Sequence, residues 1–179
     1  MHPSLPHIVP KVFAEYNVLN RSGLCTPTQG HRFAELAMSF KPSILFSLAL
    51  ASLASAHFTV NSPPPLGNNI NNENIAPCGG FTPSSSDNIT DFHVGGDAIS
   101  LVTLHAQSYF AFLGTLGASL TSPNWTFLIP TVEEYGLNQF CEPIVPVPAS
   151  WSGQAGLLQI IQDSEDGIHY QVSLSTCLL

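Results

Sequence analysis

From Ile99 onward the apolar residues of this chain come in short runs, and a turn signal closes each run before it reaches the length of a stable helix. The runs are Ile99 to His105, Tyr109 to Leu116, Trp125 to Pro130, Leu157 to Gln162 and Tyr170 to Leu174. Around them stand Gly95-Gly96-Asp97, Thr121-Ser122-Pro123-Asn124, Pro143 to Gly153 and Ser164-Glu165-Asp166-Gly167. Short β-type runs with this punctuation predict an all-β domain, an antiparallel β-sandwich of the immunoglobulin-like or fibronectin-like kind. The longest apolar stretch, Tyr109 to Leu120, is rich in aromatics and broken by Gly114 and Gly117, so it reads as strand. Asn61 to Pro83 is rich in Pro, Asn and Gly, with Pro63-Pro64-Pro65 and Pro77-Cys78-Gly79-Gly80, which predicts long extended loops at the N-terminal side.

The segment ahead of this domain has a different character. Met38-Ser39-Phe40-Lys41 carries one positive charge, Ile44 to Ala51 is apolar, and Ala54-Ser55-Ala56 places small residues where a signal peptidase reads. Residues 38–56 are thus expected to be a secretory signal peptide; the apolar run is shorter than the roughly 20 residues of a membrane-spanning helix. Residues 1–37 contain Pro3, Pro6, Pro10 and Pro27 and no sustained periodicity, and are expected to be non-structural upstream sequence. Cleavage would leave residues 57–179 as one small domain with His57 at its head, either secreted or held at the outer face of the plasma membrane or cell wall.

All four basic residues, Lys11, Arg21, Arg32 and Lys41, precede that cut, whereas the domain keeps Glu73, Asp87, Asp91, Asp97, Glu133, Glu134, Glu142, Asp163, Glu165 and Asp166. A domain with no Lys or Arg argues against nucleic acid or an anionic membrane as partner, since both are held by cationic side chains. Its negative field concentrates cations, and also serves to keep a secreted protein soluble. Asn88-Ile89-Thr90 and Asn124-Trp125-Thr126 are glycosylation sequons, which makes Asn88 and Asn124 the candidate acceptors. Cys78, Cys141 and Cys177 follow the cut; secretion favours one disulfide and the odd count leaves one thiol over.

An N-terminal histidine offers a metal two nitrogens, its free α-amine and its ring. His105 ends the run in which residues 99, 101, 103 and 105 share one strand face, so it projects at the strand's edge. A fold that brings the start of the domain beside that strand would assemble three nitrogens, a set that suits Cu(II). The alternative for His105 is a polar strand-end residue bonded to a loop carbonyl. His93 sits at a turn and reads as a capping or solvated residue. His169 alternates to the face opposite Tyr170 and reads as a surface residue.

Ala54-Ser55-Ala56-His57-Phe58-Thr59-Val60 with Pro63-Pro64, then Ala76-Pro77-Cys78-Gly79-Gly80, Leu101-Val102-Thr103-Leu104-His105, Asn138-Gln139-Phe140-Cys141-Glu142-Pro143 and Gly156 to Ile161 occur in this order. The ordered set resembles the fungal copper proteins similar to lytic polysaccharide monooxygenases, the copper acquisition factor group included. The resemblance implies a β-sandwich holding one Cu(II) ion in a histidine brace made by His57 and His105. It further implies copper capture at the cell surface, with a plasma-membrane copper importer as partner, and a Cys78–Cys177 disulfide that leaves Cys141 without its mate. Members usually carry a glycolipid anchor signal and an aspartate ligand in a Cys-Ala-Asp-type motif on the last strand. Here Val172 to Thr176 intervenes before Cys177, Leu178-Leu179 follows it, and neither the aspartate nor an anchor signal is found. Two other readings stay open: a copper-dependent polysaccharide monooxygenase acting on a cell-wall glycan, and a secreted β-sandwich without metal.

Overall fold

The structure, a computed structural model, describes residues 57–178; the segments read as upstream sequence and signal peptide lie outside them. Nine strands form an all-β sandwich: β1 (Phe58–Ser62), β2 (Thr90–His93), β3 (Asp97–Thr103), β4 (Gln107–Leu116), β5 (Thr126–Phe127), β6 (Val132–Tyr135), β7 (Asn138–Val145), β8 (Ala155–Ser164) and β9 (Gly167–Leu178). One sheet has the order β1-β3-β7 and the other β2-β9-β8-β4-β5, with β6 also pairing β4. All pairs are antiparallel except β2 with β9, which is parallel and makes the larger sheet mixed.

The expected runs around residues 99–105, 109–116, 157–162 and 170–174 fall on β3, β4, β8 and β9. Trp125 to Pro130 is mostly loop, with two residues of strand. Pro143 lies within β7 rather than in a turn. It is tolerated there because β7 is an edge strand, and the ladder to β3 is irregular between Asp97 and Ile99.

The core between the sheets joins Phe58 and Phe140 of the smaller sheet to Phe110 of the larger. The ring centroids of Phe58 and Phe110 are 5.7 Å apart, edge to face, and those of Phe110 and Phe140 are 5.3 Å apart, stacked. Burying a phenylalanine contributes about 1.5–3 kcal/mol, so Phe58 alone anchors the start of β1 firmly.

The larger sheet is covered on both faces. Leu158, Ile160, Phe110 and Phe112 face the smaller sheet, while Leu157, Val172 and Leu174 pack with Cys78 under Leu66, Leu120 and Trp125 of the loops. The N-terminal loop is pinned to β9 by backbone hydrogen bonds from Leu66 N to Val172 O (2.8 Å) and from Tyr170 N to Glu73 O (2.7 Å). Gly79 in this loop has φ +63°, and a Cβ there would stand 2.5 Å from the Tyr170 carbonyl oxygen, so the Pro77-Cys78-Gly79-Gly80 stretch requires glycine at that contact.

The expected Cys78–Cys177 bridge is not formed. Both are buried free thiols. They belong to different apolar clusters, Cys78 under the loops and Cys177 in the core between the sheets, with the β9 backbone separating the two faces. Cys141 is disulfide-bonded.

Candidate metal centre

The pairing of β1 with β3 sets Phe58 opposite Thr103, and Leu104 N donates to His57 O at 3.2 Å. The start of the domain therefore lies beside the residue preceding His105, the juxtaposition that the three-nitrogen reading requires. His105 follows the end of β3 and is buried, as are Ile99, Leu101 and Thr103 on the same face. The turn that carries it rests on a buried polar network: His105 N and Gln162 Nε2 both donate to Thr103 Oγ1, at 3.3 and 2.8 Å, and Gln162 Nε2 also donates to Ser108 Oγ at 2.9 Å.

Two further groups arrive from the β8–β9 hairpin. Ser164 pairs with Gly167, leaving Glu165 and Asp166 as the connection, and Gln162 pairs with His169. Gly167, at φ +128°, makes the reversal, and Ser164 Oγ donates to Asp166 Oδ1 at 2.9 Å. Asp166 Oδ1 is 2.8 Å from His105 Nε2 and 3.9 Å from His169 Nδ1. The His169 ring centroid lies 4.5 Å from that of His57 and 6.3 Å from that of His105.

His57, Asp166 and His169 each offer one ligand atom, all within 4.8 Å of one another. His105 is joined to this group through Asp166. The surface reading of His169 is thus corrected: the residue is 4 % exposed and faces the interior of the sandwich. Burial lowers its pKa, Asp166 raises it, and His57 and His105 lower it, for a net depression that favours the neutral, metal-ligating imidazole. Asp166 was legible in sequence as a turn residue and in no other role.

The donor set fits a copper ion on two grounds. Two imidazoles and a carboxylate, with the His105 imidazole joined to them through Asp166, are N/O ligands of the kind Cu(II) prefers. In addition, His105 Nε2 and His169 Nδ1 are buried without an aligned hydrogen bond, although Asp166 lies close to both. Donors that converge without bonding one another are what an ion between them would satisfy.

Gln171 of β9 fixes the strand that presents His57. Its Nε2 donates to Phe58 O at 2.8 Å and to Glu73 Oε1 at 2.7 Å, and its Oε1 accepts from Val60 N at 3.0 Å. One side chain thereby serves the open edge of β1. Burial pushes the Glu73 carboxyl above its usual range, against the hydrogen bond from Gln171 and the nearby His57, which pull it down.

Elsewhere His93 is exposed on β2 and bonds Asp97, its Nδ1 lying 3.0 Å from Oδ2, in keeping with a turn role. Asn88 and Asn124 are exposed. Trp125 and Trp151 are partly buried against the two apolar clusters.

The family of domains described as copper acquisition factor BIM1-like matches residues 55–174. The chain belongs to the BIM1-like copper acquisition factor family. A relative described as lytic polysaccharide monooxygenase-like protein X325, from Yarrowia lipolytica (strain CLIB 122 / E 150), is 29 % identical over 139 residues, which cover 70 % of this chain and 52 % of the relative. The chain thus spans about half the length of the curated relative it matches. Membership ties this BIM1-like domain to copper, and the match begins just ahead of His57.

Proposed function

We propose that this BIM1-like protein captures one Cu(II) ion outside the cell, in a histidine brace formed by the α-amine and ring of His57 and the ring of His105, and delivers it toward uptake. In this reading signal-peptide removal before His57 frees the amine, and copper is cargo for a plasma-membrane importer. The observation that supports the reading is the β1–β3 pairing, with its Leu104 N to His57 O hydrogen bond, which sets His57 beside Leu104, the residue preceding His105. The acidity of the domain supports it, as does a cavity of about 400 Å³ whose walls include His105, Tyr109, Asp163 and Glu165 and which offers a cation an anionic approach. Exposure of Asn88 and Asn124 accords with passage through the secretory pathway. Glycan oxidation stands second, because both tryptophans pack against apolar clusters rather than paving a flat binding face.

The test is intact mass and copper stoichiometry of the protein secreted from a sequence starting at Met38, wild type and His105→Ala. The expected result is a chain beginning at His57 with one tightly held copper, weakened at least about tenfold in the variant. A chain that begins elsewhere, or holds no copper, overturns the proposal. Turnover of a cell-wall glycan with a reductant would move the protein to the oxidative reading.

A further inference from the structure

We infer that the β8–β9 hairpin completes the copper site: Asp166 and His169 are ligands in addition to His57 and His105, so that protein atoms alone hold the ion. The inference rests on the copper-binding reading and assigns the donors that reading leaves unnamed. β9 (Gly167–Leu178) itself carries no aspartate, and the hairpin that leads into it brings a carboxylate and a third imidazole toward His57.

Three observations converge. Asp166 Oδ1 is a hub, 2.8 Å from His105 Nε2 and 3.9 Å from His169 Nδ1. His169, 4 % exposed, has its Nδ1 buried without a hydrogen-bond partner, and a buried polar atom left so costs about 1–3 kcal/mol unless something satisfies it. His57, Asp166 and His169 also offer ligand atoms within 4.8 Å of one another, a spread that a small rotamer adjustment closes around an ion. The hairpin is built to hold them: its connection is two residues long, Ser164 tethers Asp166, and the ladder from β8 places His169 opposite the buried Gln162.

The consequence is a difference of purpose. A brace alone supplies three nitrogens and leaves copper open to a small molecule. His57, His105, His169 and Asp166 together supply up to four nitrogens and an oxygen, enough to surround a Cu(II) ion without an outside ligand. Such a site retains and hands on an ion rather than activating a reactant on it.

The experiment is Cu(II) titration of the protein secreted from the full-length sequence, followed by electron paramagnetic resonance and by nitrogen double resonance on protein labelled with ¹⁵N-histidine. The expected outcome on wild type is three coupled imidazoles, with His169→Gln losing one and both His169→Gln and Asp166→Asn weakening copper at least about tenfold. Because the imidazole count is read on wild type, a variant that misfolds does not spoil the test. Two coupled imidazoles on wild type, with His169→Gln and Asp166→Asn spectra superimposing on it while His57→Ala abolishes binding, overturns the inference and leaves the brace standing. A wild type that takes up no Cu(II) overturns both.

Discussion

Replacing Gln171 with leucine should destabilise the domain by about 2–4 kcal/mol, with Val60 N–H and Phe58 C=O left unpaired and the Glu73 carboxyl losing one of its partners while keeping its backbone bond to Phe58. Leucine keeps the volume, so the cavity contribution stays small and the effect isolates the hydrogen bonds. Each contributes about 0.5–1.5 kcal/mol when made, and each buried orphan costs about 1–3 kcal/mol; the three share one side chain, so the sum is less than additive. The site is 2 % exposed, which denies the orphans water. Urea denaturation should show a lower midpoint at unchanged slope. Gln154→Leu is the control, since its Nε2 bond to Ser150 O is exposed and should be worth under about 0.5 kcal/mol. A Gln171→Leu loss below about 1 kcal/mol would refute the idea that this side chain acts as the missing neighbour of β1.

Gly79→Ala should cost about 2–4 kcal/mol in thermal or chemical denaturation, from its positive φ and from the 2.5 Å approach of the new Cβ to Tyr170 O, whereas Gly153→Ala, at φ +76° in open space, should cost about 1 kcal/mol. Burial pushes the Glu134 carboxyl up to about 7, so the folded state favours its protonated form; its contribution is complete below about pH 4.5 and is lost as pH rises through 7. Allowing for partial exposure, wild-type stability should fall by about 1–2 kcal/mol over that interval, and Glu134→Gln should flatten the profile; equal slopes would contradict the assignment. Burial also lifts the Cys78 thiol to about 11 and raises that of Cys177. Peptide mapping after alkylation without reductant should therefore find both unlabelled in the folded protein and both labelled after denaturation, whereas a Cys78–Cys177 disulfide would leave them unlabelled throughout.

The fold was legible where strands are long and apolar, as in β4 and β8. It was illegible in β2 and β6, four residues each and largely polar, and in β1, whose few residues run into Pro63. His169 escaped for a more interesting reason. On β9 the polar residues His169, Gln171, Ser173 and Ser175 are buried, with Gln171 and Ser173 bonded to the β1 strand and to Pro63, while Val172 and Leu174 face outward and are covered by the loops. Alternation locates the two faces of a strand but not which one is interior, and a sheet covered on both sides inverts the usual reading. His105 was legible because it ends a run whose face opens with Ile99 and Leu101, both buried. Asp166 was recognisable as a turn former, and nothing local in the sequence marks which turn closes over a metal site.

The most direct test of the central claim is the Cu(II) affinity of the chain beginning at His57 against the same chain with one alanine added ahead of it. The pairing of β1 with β3 is the same in both; the added residue removes the histidine amine from the site. One tight site is expected in the first chain and at least about a hundredfold weaker binding in the second, with the folded spectrum unchanged. Equal affinities would contradict that claim, because the start of the domain would then contribute no more than a ring.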